Sequence, residues 1–109
     1  TLGTQFLELR SACVLVVDLR LPLPGSLKEK RAVISPILQG AHRRHHVAVA
    51  EVGRQDDHHR SELAFATVGS SVGQVREVLD AVDRFVWSFP EVEVLDSWRR
   101  WTDDDEEER

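Results

Sequence analysis

From Ala12 to Leu21 the chain alternates between two faces of unlike character, and few architectures accept such a strand. Cys13, Leu15, Val17, Leu19 and Leu21 share one face by the two-residue period of an extended chain. Val14, Val16, Asp18 and Arg20 fall on the other. A wholly apolar face backed by a mixed one suits a sheet that helices cover on one side only. Pro22-Leu23-Pro24-Gly25 ends the run, because proline cannot donate to a ladder and glycine permits a sharp turn.

A helix is expected to start at Ser26. Ser26-x-x-Glu29 has the form of a capping box, in which the hydroxyl accepts from the Glu29 amide and the Glu29 carboxylate reaches back to the Ser26 amide. Leu27, Ile34, Ile37, Leu38 and Ala41 then recur at helical spacing. Pro36 inside this pattern deletes one backbone bond and is expected to kink the helix, and Gly40 weakens its last turns. His42, Arg43, Arg44, His45 and His46 close it with cations at the end the helix dipole favours.

Val47 to Val52 reads as a second strand and Glu62 to Gly69 as a third, joined by a polar hairpin connection. Ser71 to about Phe89 reads as a second helix with Ser71-x-x-Gln74 at its start, and Pro90 stops it. Glu91 to about Trp101 is the fourth strand. The order strand, helix, strand, strand, helix, strand defines an α+β, ferredoxin-like split βαβ fold. Its four-stranded antiparallel sheet carries two helices on one face. On this reading Val14, Val16, Val47, Val49, Asp18 and Glu51 lie on the open face, and Phe65 is the aromatic candidate there.

The division expected is an N-terminal extension over residues 1–11, the domain over 12–101, and an acidic, disordered tail over 102–109. The tail distorts the charge. The formal net charge is −5, but six of the acids run from Asp103 to Glu108, and without residues 103–109 acids and Lys/Arg balance. The body therefore has no global basic signature, and any nucleic-acid role needs a local patch. No DNA-specific motif occurs. The apolar runs are far shorter than the ~18 residues a membrane span needs, and no signal-peptide pattern opens the chain. A lone Cys13 in an apolar run excludes a disulfide framework. A cytoplasmic protein without a cofactor is the expectation.

Three stretches carry a resemblance: Ser26-Leu27-Lys28-Glu29-Lys30-Arg31; Val49-Ala50-Glu51-Val52 with Gln55-Asp56; and Pro90-Glu91-Val92-Glu93-Val94-Leu95. In their order and spacing the chain resembles the DUF503, or YlxP-like, family of small bacterial proteins over roughly residues 12–101. The resemblance implies a ferredoxin-like fold. It also implies, by gene neighbourhood alone, a link to translation initiation and ribosome maturation. The N-terminal extension, His58-His59, Trp87 and the acidic tail depart from the family pattern.

The first candidate site is Lys28, Lys30 and Arg31, since a helix N-terminus offers free amides and added cations could hold a phosphate of RNA. Ser26 and Glu29 already use some of those amides. Only Lys28 and Arg31 share a face, with Lys30 apart. Arg43 and Arg44 are the second candidate, beside the plainer reading of a solvated helix C-terminus. A helix of about 18 residues is about 27 Å long, so the two clusters cannot grip one phosphate, though a long RNA reaches both. Asp56, Asp57, His58 and His59 have metal-ligand chemistry but not metal-ligand spacing, so no metal is expected. Asp18 and Glu51 lack a nucleophile with an orienting base beside them, and no catalytic residue is assigned. The leading expectation is an accessory protein that binds RNA or a ribosomal subunit through its basic helix ends. The alternative is an interaction module, a homodimer included, that works through the open sheet face. A small-anion-binding or enzymatic role comes third.

Overall fold

The computed structural model describes residues 11–102, and the readings made for residues 1–10 and 103–109 lie outside it. Six elements follow in order: β1 (Ser11–Arg20), α1 (Leu27–His45), β2 (Ala48–Gly53), β3 (Arg60–Gly69), α2 (Val72–Trp87) and β4 (Glu93–Trp101). All neighbouring strands pair antiparallel in the order β2-β3-β1-β4, with both helices on one face. This is the ferredoxin-like arrangement, and the alternation of β1 places Cys13, Leu15, Val17 and Leu19 under the helices as expected. Leu63 and Phe65 of β3 join them, with Ile34, Ile37 and Ala41 from α1 and Val75, Leu79, Val82 and Val86 from α2.

Both helices are capped, with one common departure from the expected box. Ser26 Oγ accepts from the Glu29 amide at 3.1 Å, but the Glu29 carboxylate accepts from the Gly25 amide at 2.6 Å, one residue before the cap. Gln74 does likewise, accepting from the Ser70 amide while its own amide donates to Ser71 Oγ. α1 runs unbroken through Pro36, whose ring is on the solvent side. It ends at His46, a residue in the left-handed region (φ 57°), and the His42 ring Nδ1–H donates to the Val47 carbonyl. Gly40 lets the two helices meet, because a Cβ there would stand 2.5 Å from Phe85 Cζ.

Two facing assignments are corrected. Val49 pairs with Phe65 and Ala50 with Ala64, so Val47, Val49 and Glu51 turn toward the helices and Ala48, Ala50 and Val52 form the outer surface. Both faces of β2 begin with small apolar side chains, and the larger valines gain more by burial than the alanines. Phe65 is fully buried and is not an open-face aromatic. The aromatic ring outside is Trp98 of β4, opposite Val16.

Candidate functional site

The first turn of α1 splits the cationic cluster. Lys28 and Arg31 are exposed, with no ion pair among the described residues. Lys30 is 1% exposed. Its ammonium donates to Glu51 Oε2, to the Arg54 carbonyl and to the Asp57 carbonyl, each at 2.7 Å. Three acceptors use its three protons, so Lys30 is withdrawn from the anion-site assignment. The physical reason is helical phase: Lys30 stands between Leu27 and Ile34 on the stripe that continues to Ile37 and Ala41.

Glu51 reaches the same place from β2. Its Oε2 also accepts from the buried Ser61 hydroxyl at 2.7 Å. One carboxylate thus joins α1, β2 and β3, and Lys30 adds the loop after β2. That loop is drawn tight by its own bonds. Arg54 takes the left-handed conformation (φ 62°), the Asp57 amide donates to the Arg54 carbonyl, and Asp57 Oδ1 accepts from the His59 amide at 2.8 Å. The His59 amide, followed by the charges of His59, Lys30 and Arg54, holds the Asp57 carboxyl below its ordinary range. The His59 ring Nδ1–H donates to the Leu21 carbonyl, whose own amide donates to the His59 carbonyl. Asp57 and His59 are therefore engaged in loop closure.

At the far end of α1, Arg43 is exposed, and the Arg44 guanidinium lies 5.2 Å from the centre of the Phe85 ring. Arg44 is partly tied to α2 by that cation–π contact.

The open sheet face is the other candidate. The strand register sets its rows: Ala48, Ala66, Val14 and Arg100 in one, Ala50, Ala64, Val16 and Trp98 in the next. Ala12 and Val68 extend the apolar area at one end, and Val68 is 75% exposed. At the other end lie Asp18, Glu62 and Asp96, then Arg20, Arg60 and Glu93. Arg60 pairs with Asp18 at 2.9 Å and Arg20 with Glu93 at 2.8 Å. Each of these ion pairs joins two charges on the same face, and Glu62 and Asp96 have no ion pair among the described residues, so this end keeps an excess of two carboxylates. Trp98 was missed as a face residue because β4 bulges at Leu95, which shifts the alternation between Glu93 and Trp98.

This is a small ferredoxin-like domain with a buried Lys–Glu clamp under one helix end and a bare apolar sheet face. The family described as "Protein of unknown function (DUF503)" matches residues 12–99, and the chain belongs to it. It is 40% identical over 77 residues to "Uncharacterized protein YlxP" of Bacillus subtilis (strain 168), a match that covers 71% of this chain and 84% of that protein. Among solved structures, a dimeric ferredoxin-like protein from an uncultured marine organism is similar at 11% identity. It covers 84% of this chain and 85% of its own, with a TM-score of 0.36. Within the described residues no helix is long and apolar enough to cross a membrane.

Proposed function

We propose that this protein is a non-enzymatic interaction module that docks a protein partner on its open sheet face. The observation that carries the reading is the contiguous apolar surface of Ala12, Val14, Val16, Ala48, Ala50, Ala64, Ala66, Val68 and Trp98, which no helix among the described residues covers. Exposed apolar area of this continuity marks an association surface, because water gains when it is covered. A photo-crosslinking side chain placed at residue 64 in growing cells should yield protein adducts. The same side chain at residue 35, on the solvent side of α1, should not. Equal yields, or none at residue 64, would remove the reading.

A second reading rests on Lys28 and Arg31, which have no ion pair among the described residues. With Arg43 and Arg44 they offer an RNA or a ribosomal subunit cationic points at both ends of α1. Binding of this kind releases counterions and weakens steeply with salt. Fluorescence anisotropy with a labelled RNA should then show affinity that falls with salt and falls further in the Lys28→Ala/Arg31→Ala protein. Salt-independent binding, or no effect of the double substitution, refutes it. Co-sedimentation with ribosomal subunits, lost in the same double variant, tests the ribosomal form.

A further inference from the structure

We infer that the acidic run from Asp103 to Glu108 docks on the cationic end of the open sheet face and keeps other polyanions off it. This goes beyond the protein-docking reading, which needs the centre of the face. For its functional side it rests on the RNA reading, and it names what an RNA must displace.

The open face is electrically polar along its strands. Asp18, Glu62 and Asp96 stand at the end where β1 leaves for α1. At the opposite end lie Ala12 and Val68, then Ala48, Ala66, Val14 and Arg100, with no acid in either row. α1 delivers its last residues to this second end. A hollow there has His46 on one side and Thr102 on the other, over a floor of Ala12, Ala66 and Val68. A neighbouring hollow shares His46 and Ala48 with it and adds His42 and Arg43. Arg43 and Arg100 are exposed, with no ion pair among the described residues.

The described chain leaves this same end at Thr102, and the next six residues are all acids. From β4 across β1 and β3 to the start of β2 is three strand spacings, about 14 Å. A run of that length spans about 20 Å when extended. It therefore reaches Arg100, His46 and Arg43 with no change in the fold.

Charge selects this occupant. Cations around a low-dielectric floor focus their field on whatever lies in the hollow. An apolar partner seated there would bury Arg100 unpaired, which is costly. The excess carboxylates at the far end repel the run from the rest of the face. Attachment at Thr102 gives the run an effective concentration on the order of millimolar, so weak contacts keep it seated. An RNA backbone meets the same cations only by displacing it, whereas Lys28 and Arg31 at the other end of α1 stay open to it.

The test uses the full chain with a nitroxide at Glu107→Cys. Cys13 is buried in the core and stays unlabelled. Amide signals of His46, Ala48 and Val68 should broaden at about 0.05 M salt and recover at about 1 M, where screening acts within about 3 Å. Signals of Glu62 and Asp96 should not change. Arg43→Ala/Arg100→Ala should remove most of the broadening. No broadening at low salt, or broadening that high salt leaves unchanged, overturns the docking. That arm needs no change to the cationic end, so it decides even where the double variant misfolds. Exclusion is read by anisotropy of a labelled single-stranded RNA. The comparison protein carries Asp103→Asn, Asp104→Asn, Asp105→Asn, Glu106→Gln, Glu107→Gln and Glu108→Gln together. In it Arg43→Ala should weaken RNA binding several-fold, and in the parent it should change binding little. A general effect of net charge would add equally in both backgrounds, so the difference between the two costs isolates the contact. Equal costs overturn the exclusion. RNA bound by neither protein removes the RNA reading and the exclusion together, and the relaxation measurement still decides the docking.

Discussion

Exchanging Lys30 for methionine would keep the length of the side chain and remove the charge that Glu51 is buried against. The carboxylate would retain the Ser61 hydroxyl and a little water, and the Arg54 and Asp57 carbonyls would lose their donor. Breaking one partner of a buried pair is costly, and here the loss should be about 3 kcal/mol, read from urea denaturation. Lys30→Met combined with Glu51→Leu should regain most of it, because the desolvated carboxylate is then gone. Asp57 makes a pH-dependent contribution. Its folded pKa lies below the ordinary 3.8, so its stabilisation is complete above that value and is lost as pH falls through the folded pKa. Asp57→Asn should therefore be less stable than the parent at neutral pH, and the gap should narrow as pH falls below the ordinary carboxylate range. A gap that stays constant from neutral to acid would contradict the assignment. The sequence showed Lys30 as one cation among three, yet its phase with Leu27, Ile34 and Ile37 was present to be read. What it could not show was an acid from another strand and two loop carbonyls waiting at that point, since those partners are brought there only by tertiary pairing.

Within α1, two residues work against the helix in opposite ways. Pro36 is exposed and costs a backbone bond, so Pro36→Ala should stabilise the protein by about 2 kcal/mol in thermal or urea unfolding. Gly40 also lowers helix propensity, but Gly40→Ala should destabilise. The new methyl group meets Phe85, whose ring is already flanked by His45 and Phe89. The propensity gain of about 1 kcal/mol is outweighed by overpacking of about 2 kcal/mol, a net loss of about 1 kcal/mol. In a Phe85→Leu background the sign should reverse. All six elements were legible from periodicity and caps, and their ends shifted by no more than about two residues. The facing of β2 was not legible, because a strand of alternating valine and alanine presents an apolar residue to either side. Trp98 was hidden for a related reason: a one-residue bulge reverses the period, and a bulge has no signature in side-chain polarity.

For the molecule as a whole, self-association through the open face, one form of the interaction reading, would link stability to concentration. Mass action then predicts that raising the protein hundredfold above its dissociation constant raises Tm by several degrees, and that Ala64→Arg abolishes the dependence. A Tm that does not move with concentration in the parent protein would speak against self-association. The buried clamp has a consequence of another kind. Lys28 and Lys30 are the only lysines in the sequence, two positions apart, one open to water and one sealed. An amine-acylating reagent should modify Lys28 at the rate of a free side chain. It can reach Lys30 only when the helix parts from the loop. The ratio of the two modifications in a single peptide, read by mass spectrometry, is thus a built-in clock for opening of the native fold, with its own internal reference.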